Sequence, residues 1–259
     1  MPTAAGLYYF AHEAENLARP PVILIHGAGG THLHWPAQVR RLHHQRIFAI
    51  DLPGHGRSEG LGHQIIGDYA DHVIEFIKAI KLSSAVLVGH SMGGAIALDA
   101  AIRFPKRVAA LGLVGSGSKL RVSPAILQSA SSPSTFMEAV NIVKDFSYSE
   151  HASARLKELG AQKLAETRPT VLYGDFLACN AFNAADQLSK IFAPTLIVCG
   201  ADDRMTPPKY SELLRDTIPN ARMEIVPKAG HMVMLEQPET VAELLAGFLN
   251  TISYQAGQE

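Results

Sequence analysis

A mostly parallel β-sheet covered by helices on both faces is the fold class this chain predicts, and three features predict it. Short apolar runs alternate with stretches of helical periodicity along most of the 259 residues. One run, Val86-Leu87-Val88, passes into Gly89-His90-Ser91-Met92-Gly93, a glycine-bracketed serine that opens a helical pattern. Two later runs each end in a loop rich in polar chemistry, with Asp202-Asp203 after the first and His231 after the second.

Leu7 to Phe10 reads as an edge strand, although the short stretch before Val22 leaves little room for an antiparallel hairpin there. Val22 to Ile25 and Ile47 to Ile50 are uncharged and largely β-branched, as buried strands are. Ile66, Tyr69, Val73, Phe76, Ile77 and Ile80 then recur at helical spacing. Ala85 to Val88 is the strand feeding Ser91. Met92, Ala95, Ile96, Leu98 and Ala101 continue as helix, with no proline before Pro105. Val108 to Val114, Thr195 to Cys199 and Met223 to Val226 complete the strands, and Val241, Leu244, Leu245 and Phe248 mark a closing helix.

Residues 116–192 break this alternation. After Ser131-Ser132-Pro133-Ser134 come helix-like stretches at about 135–146, 152–166 and 170–182, without a convincing strand. An insertion of that length is too long for a connecting loop and helical enough to form a lid. Residues 1–115 and 193–259 then form one core domain and 116–192 a helical cap. Phe136, Met137, Val140, Leu172, Phe176 and Leu177 are candidates to line a pocket beneath it, or else pack the cap onto the core.

Lys plus Arg, 23, nearly cancels Asp plus Glu, 24, which argues against nucleic acid or a membrane surface as partner and for a small molecule. The first residues lack a basic start followed by an apolar run, and no segment has the uncharged length of a membrane span, so a cytoplasmic protein is expected. Monomer and homodimer are both compatible with the composition. Cys179 and Cys199 read as reduced thiols, Cys199 within a buried strand. The pairs His32/His34 and His43/His44 lack a carboxylate or cysteine at ligand spacing, so no metal is expected.

A serine at a strand-to-helix bend needs glycine two residues to either side, because neighbouring backbone passes close by; Gly89 and Gly93 meet that need. Its hydroxyl is a weak nucleophile until a base takes the proton and an acid fixes the base. His231 is the sole histidine after Asp203, which makes it the base if the order is serine, acid, histidine. Charge and spacing do not choose between Asp202 and Asp203. His90 adjoins Ser91 but points away across a sharp turn. His26, Asp51 and His55 read as structural parts of glycine-rich turns.

Ser91, His231, His26-Gly27-Ala28-Gly29-Gly30 and Asp51-Leu52-Pro53-Gly54-His55-Gly56-Arg57-Ser58 together resemble the α/β-hydrolase superfamily, in its carboxylesterase and lipase-like branch. The resemblance covers about residues 20–114 and 193–248. It implies an α/β fold with a helical cap inserted after the sixth strand. The family's Gly-x-x-Asp-x-x-x-Pro pattern falls on Gly200, Asp203 and Pro207, which implies Asp203 as the triad acid. It also implies that the Ala28 and Met92 N–H groups form the oxyanion hole. The implied activity is cofactor-free hydrolysis of small to medium carboxylic esters through an acyl-enzyme. Lactone opening, thioester cleavage, C–C hydrolysis and perhydrolysis use the same triad, and a hydrolase-like receptor keeps the same fold. Trp35, Phe136 and Met232 are the candidate substrate contacts, with packing against the sheet edge the equal alternative for Trp35.

Overall fold

The computed structural model describes residues 2–13 and 19–253. Its strands are Thr3–Ala4 (β1), Leu7–His12 (β2), Val22–Ile25 (β3), Ile47–Ile50 (β4), Ala85–His90 (β5), Val108–Val114 (β6), Thr195–Gly200 (β7) and Ala221–Val226 (β8). They form one sheet in the order β1-β2-β4-β3-β5-β6-β7-β8. The pairs β1/β2 and β2/β4 are antiparallel and the rest parallel. The hairpin the short N-terminal stretch argued against is present. It needs only Ala5 and Gly6 as turn residues, both at positive φ, 49° and 77°, the combination that joins twisted strands most tightly.

Side chains alternate across the sheet, so each central strand feeds two cores. Ile23, Ile25, Leu87 and Leu111 face one side. There they pack on the apolar stripes of Ile66–Ala79 (α2) and Met92–Arg103 (α3). Leu24, Val86, Val88 and Val198 face the other, against Ala37–Arg40 (α1) and Pro238–Leu249 (α10). Trp35 belongs to this second layer and is fully buried in it. It does not reach the cavity described below, so its packing role replaces the expected substrate contact.

Between β6 and β7 lie Pro124–Ala130 (α4), Phe136–Ser147 (α5), Ala154–Ala165 (α6) and Pro169–Ala181 (α7). The sequence reading missed α4, whose seven residues carry little periodicity; Pro124 opens it. These helices share a core of Ile126, Phe136, Val140, Ala161, Leu164 and Leu172. Phe136 is spent on this packing and also does not line the cavity, a second correction. The ends of the insertion are pinned by a bridge between Lys119 and Asn183 and by the Ala184 N–H donating to Ser118 O at 2.9 Å. Pro208–Thr217 (α8) and Val233–Glu236 (α9) complete the helices. Among the described residues no helix is long and apolar enough to cross a membrane. Cys179 and Cys199 are buried and unbridged.

Candidate active site

β5 ends at His90, and Ser91 turns the chain into α3 at φ 53° and ψ −115°, a left-handed conformation costly for any residue with a Cβ. The bend is held on both sides. Ser91 N–H donates to Val114 O at 2.9 Å, and Ser116 Oγ donates to Ser91 O at 2.8 Å. A methyl group at Gly89 would overlap the Gly93 carbonyl, and one at Gly93 would overlap the Ile25 carbonyl, so both positions admit glycine alone.

Past the end of β7, Asp203 is buried while its neighbour Asp202 is exposed. Asp203 Oδ1 accepts from the Met205 and Thr206 N–H groups at 2.9 and 2.8 Å, a local turn that fixes the carboxylate plane. Oδ2 accepts from Thr206 Oγ1 at 2.8 Å and lies 3.0 Å from His231 Nδ1. Burial raises the Asp203 pKa, but the His231 imidazole and the donors from Thr206 outweigh it, and the carboxyl is held below its ordinary value. Thr206 escaped the sequence reading; a hydroxyl three residues after a candidate acid is the signal that could have found it. His231 is fixed in turn by His90, whose Nε2–H donates to His231 O at 2.9 Å. His90 is thus a support for the histidine and not a rival base.

The turn after β3 is equally fixed. His26 Nε2 accepts from Leu52 N–H at 3.0 Å, which leaves the proton on Nδ1 to donate to Gly27 O at 2.7 Å. Gly30 N–H also donates to Gly27 O, at 3.0 Å. Gly27 C=O and Ala28 N–H share one peptide plane, so these bonds orient the Ala28 N–H. Neither the Ala28 nor the Met92 N–H has an acceptor among the described residues. Asp51, expected as structural, accepts from His32 Nδ1 at 2.8 Å and from the His32 and Arg57 N–H groups at 2.6 and 3.0 Å.

Ala28, Ser91, His231 and Met232 all line one cavity of about 1230 Å³. About half of its remaining wall comes from the insertion, with Ile126, Val143, Phe146, Leu159, Leu164 and Phe176 among the apolar side chains, and the rest from the core. Of the six insertion residues named from the sequence only Phe176 reaches it. The arrangement brings a strained hydroxyl, an imidazole backed by a carboxylate and the backbone of Ala28 to one apolar chamber, while Met92, next to Ser91 in the chain, is buried and not part of its lining. Among the described residues no group of three or more His, Cys, Asp or Glu could hold a metal ion.

Several imidazoles here are buried as neutral rings, with a consequence for stability. Burial lowers His26 and His90 well below the ordinary 6.5, and partial burial at the cavity wall, with the His55 charge nearby, lowers His34 to about 4. A histidine whose pKa is depressed on folding favours the unfolded chain once pH drops below 6.5, at about 1.4 kcal/mol per pH unit for each proton. His55 works the other way, since Asp175 outweighs burial and raises its pKa, but three lowered rings against one raised leave the melting temperature falling from pH 7 to pH 5, before the carboxylates of Asp51 and Asp203, also held low, begin to protonate. A thermal melt series flat down to pH 4.5 would contradict this.

Comparison with known proteins places these features in company. A family described as the alpha/beta hydrolase fold matches residues 20–238. RutD of Azorhizobium caulinodans, which bears the name of a carbamate hydrolase, is 30% identical over 96% of this chain and 96% of its own. The pimeloyl-[acyl-carrier protein] methyl ester esterase of Pectobacterium atrosepticum is 27% identical over 94% of this chain and 98% of its own. A solved thermophilic esterase superposes with a TM-score of 0.81 at 30% identity, covering 95% of this chain and 98% of its own.

Proposed function

Since the chain belongs to the α/β-hydrolase fold family, we propose that it is a serine carboxylesterase with Ser91 as nucleophile, His231 as base and Asp203 as acid. The observation that carries the reading is the hydrogen-bonded pair of Asp203 and His231 opening onto the same cavity as the strained Ser91. Ser91 Oγ attacks the ester carbonyl while His231 takes its proton, and Asp203 stabilises the imidazolium. The charge that forms on the carbonyl oxygen meets the Ala28 and Met92 N–H groups, with the α3 N-terminus adding its dipole. Collapse expels the alcohol with the proton from His231. A water molecule, activated in the same way, then releases the acid and restores Ser91.

Residues 116–192 act in this reading as a cap whose apolar wall receives the hydrocarbon parts of the substrate. The cavity exceeds the roughly 300–1,000 Å³ common for small-molecule sites, which suits esters of small to medium size on either side of the carbonyl. Purified protein should hydrolyse p-nitrophenyl acyl esters without added metal. A panel that sets them against lactones, thioesters and carbamates tests the ester assignment: a kcat/KM higher for another class would reassign the substrate, and turnover of none would refute the hydrolase reading.

A further inference from the structure

One buried carboxylate has no part in the chemistry above. Asp175 sits on α7 in the insertion and is fully buried. Its Oδ2 accepts from the Gly29 N–H and from His55 Nε2, each at 2.8 Å, and its Oδ1 accepts from Tyr69 Oη at 2.5 Å. Both His55 ring nitrogens face acceptors, Pro53 O at 3.0 Å being the other, so both donate and the ring is an imidazolium paired with Asp175. Three segments far apart in sequence, after β3, after β4 and on α2, thus converge on one side chain of the insertion.

Gly29 is held from the same side at its other end. Thr167 Oγ1 donates to Gly29 O at 2.8 Å. Gly29 has φ 63°, and a side chain there would overlap Leu164 and Leu172, so the helices rest directly on its backbone. Its N–H belongs to the peptide plane on the C-terminal side of Ala28. The plane on the N-terminal side is fixed by His26 and Gly30. With both planes held, the Ala28 N–H has one direction to point.

We propose that Asp175 is a positioning residue that, together with Thr167, lets the cap set the geometry of the oxyanion turn. The proposal rests on the esterase reading for its catalytic consequence. Its structural half, the restraint of Gly29, stands without it. The cap is then no freely swinging lid, because lifting α7 would strip Gly29 of the acceptor for its N–H and leave Asp175 and His55 to re-form their contacts elsewhere.

Asp175→Ala removes the acceptor, and His55 can shed its proton and avoid an uncompensated buried charge. Asp175→Asn restores an oxygen that Gly29 N–H can use while Tyr69 Oη accepts from the new amide. We expect kcat to fall about 10- to 100-fold in the alanine variant with KM within about threefold, because the oxyanion forms only in the transition state. The asparagine variant should recover most of that loss. Affinity for a trifluoromethyl ketone, which places an oxyanion at the same point, should follow kcat. Hydrogen exchange at the Gly29 amide should accelerate in the alanine variant and return in the asparagine one.

A folded Asp175→Ala variant with unchanged kcat, or one that raises KM alone, would overturn the proposal, as would asparagine faring no better than alanine. Should the alanine variant not fold, Thr167→Val decides the matter: a lowered kcat at constant KM supports the proposal and an unchanged kcat overturns it. Amide exchange needs no substrate. If the parent protein turns over no ester, accelerated exchange at Gly29 still upholds the strut and unchanged exchange removes it.

Discussion

Ser91→Ala should remove ester hydrolysis almost completely, lowering kcat on the order of 10⁴- to 10⁶-fold while the protein stays folded. On the proposed mechanism the loss is that large because no remaining group could form the acyl-enzyme, and what survives is whatever the proposed oxyanion turn and binding give to attack by water. Folding should survive because the Ser91 side chain makes no hydrogen bond among the described residues, whereas its backbone is held through Val114 O and Ser116 Oγ. Alanine keeps the Cβ and with it the same strain at φ 53°. Circular dichroism and a melting temperature within a few degrees of the parent's would separate loss of chemistry from loss of structure. A variant that retained even a tenth of the parent kcat would place the nucleophile elsewhere.

Asp203→Asn is the second large effect, about 10⁴-fold in kcat, and its direction follows from how the carboxylate is held. Oδ1 accepts two backbone N–H groups, from Met205 and Thr206, which an asparagine oxygen can satisfy equally well. The amide nitrogen is then forced toward His231 Nδ1 and Thr206 Oγ1, where it presents a donor to groups that need an acceptor. The ring must take the opposite tautomer, with its Nε2 protonated and useless as a base. Asp202→Asn is the control: that side chain is exposed and should change kcat by less than about twofold. Equal losses in the two variants would overturn the assignment of Asp203.

The parts of this molecule written in contiguous residues were legible in the sequence. The buried strands β3 to β7, the glycine-bracketed bend at Ser91 and the polar loops after β7 and β8 are local patterns, in which spacing and residue type carry the information. Choosing Asp203 over Asp202 as the candidate acid needed a family resemblance as well, because in the sequence the two look alike and only the fold shows which one the turn buries. Contacts made across the fold were not legible. Asp175 is one carboxylate in the apolar helix α7, with partners 106, 120 and 146 residues away. Trp35 and Phe136 were aromatic residues near the right segments, yet which face of a short turn or helix meets the cavity depends on packing that no periodicity encodes. The β1/β2 hairpin was doubted on length, and a two-residue turn of positive φ made the length sufficient.

In the proposed mechanism one hydroxyl in this chain is activated for attack on an acyl carbon. Incubation with a p-nitrophenyl alkylphosphonate, followed by intact-mass and peptide mass spectrometry, tests it most directly. One adduct per chain is expected, on Ser91, formed in step with loss of ester hydrolysis and greatly slowed in the Asp203→Asn variant. A chain that loses its activity with Ser91 unmodified, or that is labelled at another residue with Ser91 intact, would contradict it.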